Sequence, residues 1–181
     1  LIFKRPKIHI DVVEVPRKKI SHVWKMFSRH HYLNSELNVA SFCYLALFDD
    51  VPVGFNSVMP LPSGTIKNAW RDHRLVVLPD FQGMRIGISL NEFVAQKYID
   101  MNKRFYSKTA NIKLGKYRNE SAHWRATSQN EKLVSENKNY SKFFNMPENL
   151  ANRMCYSHEY IGGITHDHFT YQEKKNLSDL F

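Results

Sequence analysis

The chain has 181 residues, of which 43% are hydrophobic and 13% aromatic, and a net charge of +9 from 26 Lys and Arg against 17 Asp and Glu. That length suits one domain with a single sizeable core, and the apolar content argues for a packed globular protein over a disordered one. No apolar run approaches the length of a membrane-spanning helix, and no secretory leader is visible. Cys43 and Cys155 form neither a CxxC pair nor a disulfide framework, so the expectation is reduced, buried thiols in a cytoplasmic protein. The chain opens on Leu, as expected of an excerpt from a longer chain or of one lacking a short leader.

In chain order, residues 7–15 (KIHIDVVEV) alternate as a strand until Val13 breaks the pattern. Pro16 ends it and opens a helix on which Ile20, Val23, Trp24 and Phe27 share a face. SFCYLALF (41–48) is apolar on both faces, as a fully buried strand is, and Asp49–Pro52 turns it into VGFNSVM (53–59) as a hairpin. After a Pro/Ser/Gly loop come the strand RLVVL (74–78) and a helix from Ile86 with Leu90, Phe93, Val94 and Tyr98 in one stripe. Residues 103–109 are the expected parallel partner of that strand, across one right-handed crossover. A polar helix or turn at 111–120, a strand at Trp124 and a strand at 154–161 follow; 129–150 is a polar, Asn-rich excursion without repeats. The sum is mixed α/β over residues 1–181.

The charge favours an anionic partner, whether nucleic acid, a phosphorylated cofactor or a membrane surface. Basic residues gather at Lys4, Arg5, Lys7 with Arg17–Lys19, and again from Lys103 to Arg118; the alternative is a merely solvated basic face. Between strand and helix lies LPDFQGMRIG (78–87). Pro79 stops ladder pairing, and the stretch from Gln82 to Gly87 sets backbone amides at a helix start, where unpaired N–H groups and a partial positive charge suit a phosphate. Gly83 admits close approach, and Gly87 permits a strained dihedral or tight helix packing. No Gly-Lys-Ser/Thr follows, so this is not a triphosphate loop, and it is not G-x-G-x-x-G either. Two glycines at an ordinary helix start are the alternative.

The string V-x-L-P-x-F-Q-G-x-x-I-G, closing a strand after a Val-Gly hairpin, resembles the GNAT superfamily of acyl-CoA-dependent N-acyltransferases. The likeness spans residues 7 to 161 in element order but only 78–87 in motif. It implies a central twisted, mostly antiparallel sheet flanked by helices, with a splayed parallel pair in whose gap the pantetheine arm lies. It also implies main-chain contacts from Val76, Val77 and Leu78, and a pyrophosphate facing Gln82, Gly83, Met84, Arg85, Ile86 and Gly87. The middle glycine of the family's Gln/Arg-x-x-Gly-x-Gly/Ala pattern is Arg85 here; either the loop backs away, or the guanidinium adds a charge-assisted contact. More narrowly, HHYL (30–33), AWRDHRLVVLP (69–79) and SKTANIKLGKYRNESAHWRAT (107–127) resemble GNAT-like domains found alone, in phages or fused to ABC-type ATPases, and remotely the Mom-type proteins of phages that modify adenine in DNA.

Many members of the family place a Glu base on the fourth strand. Counting back from Gln82, that place falls on Arg71, with Asp72 and His73 beside it and no Glu. His73 has a suitable intrinsic pKa, and 71, 73 and 75 are expected on one strand face; a half-exposed histidine without a role is the alternative. The family's acid is a Tyr seven residues beyond an Asn. Asn111, a further expected cofactor contact, is followed by Tyr117 six residues on and Arg118 at the seventh, an offset of about 100° on a helix. Tyr117 is the candidate acid, a packing tyrosine the alternative. His30, His31 and Tyr32, with Trp70 and Arg71, are candidate acceptor-side residues; core packing or an exposed turn is the alternative for the first three. The spacing of His158, Glu159, His166, Asp167 and His168 gives no structural zinc site. The expected function is transfer of an acyl group from acetyl-CoA or another acyl-CoA to an amine by direct attack in a ternary complex. Alternatives are a nucleic-acid-binding or base-modifying protein, with Trp70, Trp124 and Tyr117 as stacking groups, and a non-catalytic partner of an ABC-type ATPase.

Overall fold

The computed structural model describes residues 8–31, 36–133, 153–172 and 177. Strand β1 (Ile10–Glu14) buries Ile10, Val12 and Val13. Pro16 then starts a 3-10 turn that leads into helix α1 (Ile20–Ser28), which sinks Val23, Trp24 and Phe27 into the core. Trp24 and Phe27 lie 5.1 and 5.5 Å from the Phe55 ring, fastening α1 to one face of the sheet. Strands β2 (Phe42–Phe48) and β3 (Val51–Pro60) form the expected hairpin. Asp49 and Asp50 both take positive φ, 47° and 64°, the mirror-image turn whose twist matches paired strands.

Strand β4 (Ala69–Val77) starts five residues before the expected RLVVL run. Helix α2 (Ile86–Asp100) lays Ile86, Leu90, Val94 and Tyr98 against the sheet face opposite α1. Each such side chain stabilises the fold by roughly 1.5–3 kcal/mol through burial. Strand β5 (Arg104–Thr109), helix α3 (Ile112–Glu120), β6 (Trp124–Ala126), β7 (Lys132–Leu133) and β8 (Met154–Tyr160) complete the second half. A last strand, β9 (Phe169–Gln172), pairs parallel with β1 and was not expected from the sequence. The sheet order is β6-β8-β5-β4-β3-β2-β1-β9, with β7 on β8. The β4–β5 pair is parallel and its other neighbours antiparallel, so the anticipated mixed sheet, flanked by helices, is what forms. No helix among the described residues is long and apolar enough to cross a membrane.

Candidate functional site

Parallel pairing of β4 with β5 covers only Ala69–Arg104, Trp70–Phe105 and Arg71–Tyr106. Beyond this, β5 stays paired to β8 as far as Thr109–Tyr156, and β4 stays paired to β3 as far as Val77–Gly54. The two strands therefore part at a fork. Asp72, the first residue past the fork, reaches across it: Ser107 Oγ donates to Asp72 Oδ2 at 2.5 Å, and Asn91 Nδ2 lies 3.4 Å away. The Lys108 backbone amide also bonds this carboxylate. Behind it, the buried Arg118 donates to Ser107 Oγ and to Asn91 Oδ1, lies 3.7 Å from Asp72 and stacks 4.3 Å from the Trp124 ring. Burial raises the Asp72 pKa against the opposing pull of Arg118 and Ser107. Burial likewise lowers that of Arg118 against Asp72 and Glu92.

The fork opens into a cleft of about 800 Å³ bounded by β4, the loop before α2, the end of β5 and the start of α3. At its mouth Gly83 holds φ +83° and Arg85 φ +64°, a left-handed residue capping α2. The Arg85 carbonyl accepts the Ser89 amide at 3.0 Å, so the amides of Ile86, Gly87 and Ile88 have no acceptor within the helix. A Cβ on Gly87 would stand 3.0 Å from Val77 Cγ2, which explains glycine there: α2 begins against β4. Gln82 Nε2 donates to the Val77 carbonyl at 3.0 Å, folding the loop back on the strand. Met84 is exposed. The Leu78 amide donates to Val53, so alternation turns the Val77 and Leu75 main chain toward the gap. The Arg85 guanidinium lies 5.4 Å from the Tyr117 ring. A row of amides without acceptors among the described residues, at a helix start beside the gap between two parted strands, can hold an extended chain ending in phosphates.

The structure distributes the other expected site residues unevenly. Arg71, His73, Val76, Val77, Gln82, Gly83, Arg85, Ile86, Gly87, Asn111 and His31 all line the cleft. Tyr32 lies outside the described residues. A register shift between Ser57–Arg74 and Val58–Asp72 makes His73 a bulge, so positions 71, 73 and 75 do not share a face as expected. Leu75 packs under α2, while Val76 packs under α1. His73 Nε2 accepts the Asn38 amide at 3.2 Å. Burial, then Arg74, Arg71 and His31, push its pKa down to about 4, leaving a neutral ring whose lone pair is already used. Tyr117 donates to Glu92 Oε1 at 2.8 Å; burial and then Glu92 raise its pKa. Trp124 Nε1 donates to the same oxygen at 2.9 Å. Trp70 packs 4.8 Å from Tyr98 and 5.4 Å from Phe42. Trp124 is buried, while Trp70 and Tyr117 are half-buried and pack against the core. Asn111 caps α3 by accepting the Leu114 amide at 3.1 Å.

Sequence reading passed over the buried group of Asp72, Asn91, Ser107 and Arg118. One signal was present: Arg118, not Tyr117, holds the seventh position after Asn111.

Residues 10–114 match the family model described as the Acetyltransferase (GNAT) family. No curated protein sequence matches the chain. Among solved structures, the IAA acetyltransferase from Bacillus cereus ATCC 14579 aligns with TM-score 0.56 at 12% identity, over 83% of this chain and 98% of its own. The ribosomal-protein-S18-alanine N-acetyltransferase from Escherichia coli gives 0.57 at 8%, over 87% and 97%. A Bacillus subtilis acetyltransferase in complex with CoA gives 0.54 at 12%, over 85% and 98%. At such identities the likeness is one of fold.

Proposed function

The chain belongs to the GNAT acetyltransferase family, and on that premise we propose that it takes acetyl-CoA into the β4–β5 gap and passes the acetyl group directly to an amine. One observation carries this reading: pairing ends at Arg71 and Tyr106, and the uncommitted amides of Ile86–Ile88 stand at the mouth of the gap so formed. The pyrophosphate belongs on those amides, with Gln82, Gly83 and Met84 shaping the loop and Arg85 offering its charge. The pantetheine arm belongs along the edge of β4, bonded to the main chain at Val77 and Leu75, with Asn111 at the far wall.

In the reaction the amine lone pair attacks the thioester carbonyl, the C–S bond breaks, and the proton lost from nitrogen ends on the departing thiolate. His73 stands beside the fork, but its Nε2 must first release the Asn38 amide to receive that proton. The Tyr117 hydroxyl is held by Glu92, which favours a structural part for it. The narrower resemblance would put the acceptor amine on nucleic acid and an ABC-type ATPase beside the domain. The net charge of +9 supports the first of these, and DNA binding that weakens steeply with salt would test it.

Calorimetric titration of the folded protein with acetyl-CoA and with CoA tests the main reading. Stoichiometric micromolar binding, weakened by Gly87→Val, is expected. The reading fails if the folded protein takes up neither ligand at high micromolar concentration.

A further inference from the structure

Helix α1 covers the sheet with one face and carries charge on the other. Val23, Trp24 and Phe27 are buried. Lys18, His22, Lys25 and Arg29, spaced four, three and four residues apart, are exposed and fall on the opposite side of the helix and its lead-in turn. No Asp or Glu occurs between Glu14 and Glu36. Arg17 is a different case: its guanidinium donates to the Val39 carbonyl at 2.9 Å, packs on Phe42 and shares a small pocket with Glu14. Lys18, Lys25 and Arg29 take part in none of the ion pairs among the described residues, and Arg29 Nε donates to the ring of its neighbour His30 at 3.1 Å. This charge works against the helix that carries it. Lys19 is the N-cap and makes no side-chain cap bond, and the first turn has no acidic residue. Lys18 and Lys19 therefore stand where the helix dipole is already positive. Lys25 and Arg29 are like charges four residues apart, a spacing that destabilises an isolated helix.

We propose that the outer face of α1 is a docking surface for nucleic acid, whose phosphates lie along Lys18, Lys25 and Arg29. Such docking rests on the nucleic-acid reading given above and assigns it a face of the molecule. From Lys18 to Arg29 the stripe runs about 16 Å, over which one strand of a duplex carries about five phosphates. It ends at His30 and His31, and both line the cleft. A strand laid along α1 is thereby led to the cleft, bringing the amino groups of its bases to the proposed acetyl-CoA site. A lipid surface fits less well. The apolar side of α1 is turned into the core, and the exposed large hydrophobic residues all lie elsewhere, so the helix has no apolar face to insert.

The test measures binding of short labelled oligonucleotides of mixed sequence, single-stranded and duplex, to the folded protein across a salt series. One variant combines Lys18→Gln, Lys25→Gln and Arg29→Gln. Its control combines Lys67→Gln, Lys116→Gln and Lys132→Gln, which remove the same charge from exposed positions elsewhere. The parent should bind in a salt-sensitive way. The α1 variant should bind about tenfold or more weakly, with the slope of log affinity against log salt reduced by about three, and Lys25→Gln alone should reduce it by about one. The control should keep most of the binding. All these positions are exposed, so melting temperatures should stay near that of the parent. No binding by the parent at low salt overturns the docking surface and the nucleic-acid reading together. Binding that the α1 variant keeps, or that the control loses equally, overturns the α1 assignment alone. Phosphatidylserine vesicles form a second arm: a stripe that binds them and not the oligonucleotides is a membrane surface, and the assignment falls. Titration of the parent with CoA decides the acetyl-transfer reading independently of these results.

Discussion

The Asp72 carboxylate and the Arg118 guanidinium lie 3.7 Å apart at the fork of two strands, with the arginine almost fully buried. The pair, with Ser107 and Asn91, fills the space where the next ladder bonds between β4 and β5 would form. An inter-strand bond is replaced by side chains, and the sheet opens there. Arg118→Met should destabilise the fold by about 3–5 kcal/mol, because it strands a buried carboxylate. Adding Asp72→Asn should recover much of that loss. Urea unfolding of the two single variants and the double variant measures the coupling, and simple additivity would show that the two charges do not interact.

Arg85 keeps a backbone conformation that favours glycine, with φ +64°. Left-handed geometry costs an L-residue about 1–2 kcal/mol, and glycine returns about 0.5–1 kcal/mol of this through its greater freedom in the unfolded chain. Arg85→Gly should therefore raise stability by up to about 1 kcal/mol. If its guanidinium meets a phosphate, the same change should weaken CoA binding about tenfold. Arg85→Ala should weaken binding without the gain in stability. Melting and titration of both variants read the two effects separately, and unchanged CoA affinity would leave Arg85 as a surface residue stacked on Tyr117.

Helix α3 is set on the sheet by an absent side chain. A Cβ at Gly115 would stand 2.1 Å from Tyr156 Cγ, and Tyr156 is itself buried. Gly115→Ala should cost about 3 kcal/mol or more, since the helix that carries Arg118 must move off β8. Gly64, with nothing within 4 Å of its Cβ position, should accept alanine within about 0.5 kcal/mol. Equal stabilities of the two variants in a thermal melt would contradict the packing.

Much of this was legible in the chain. SFCYLALF could be a doubly covered strand because both of its faces are apolar, and the glycines at 83 and 87 marked a positive-φ turn and a close packing of helix on strand. What escaped notice depended on partners far along the sequence. The apolar pattern began this strand only at Arg74, and the family resemblance alone carried it back to Arg71, because Arg71 and Asp72 are costly to bury until Arg118 and Ser107 arrive to meet the carboxylate. The left-handed turn at Arg85 gave no compositional sign, since arginine does not report positive φ as glycine does. The strand Phe169–Gln172 alternates between half-buried and exposed residues and owes its form to the free edge of β1.

Tyr117 separates a catalytic from a structural part. Its hydroxyl and the Trp124 indole share one oxygen of the buried Glu92, so Tyr117→Phe leaves that oxygen the Trp124 donor among the described residues. The expected loss is about 1 kcal/mol of stability, with kcat changed less than about threefold and the alkaline limb of the rate profile in place. A hundredfold fall in kcat, of the size general acids supply, would return the tyrosine to the reaction.

His158 should make the fold sensitive to mild acid. It is fully buried on β8, its Nε2 lies 2.8 Å from Asn119 Oδ1, and its Nδ1 has no hydrogen-bond partner among the described residues. Burial, then Arg118, push its pKa from 6.5 down to about 4. Between those values the unfolded chain binds a proton that the folded chain refuses. The stabilisation is therefore complete above pH 6.5 and is lost as pH falls toward about 4, a change on the order of 3 kcal/mol. His73, lowered to about 4 as well, acts in the same direction but is partly exposed and contributes less. His158→Gln keeps a donor for Asn119 and removes the titration, so its unfolding free energy should vary less across that window. Parallel pH profiles for parent and variant would mean that the ring takes up its proton in the folded state after all.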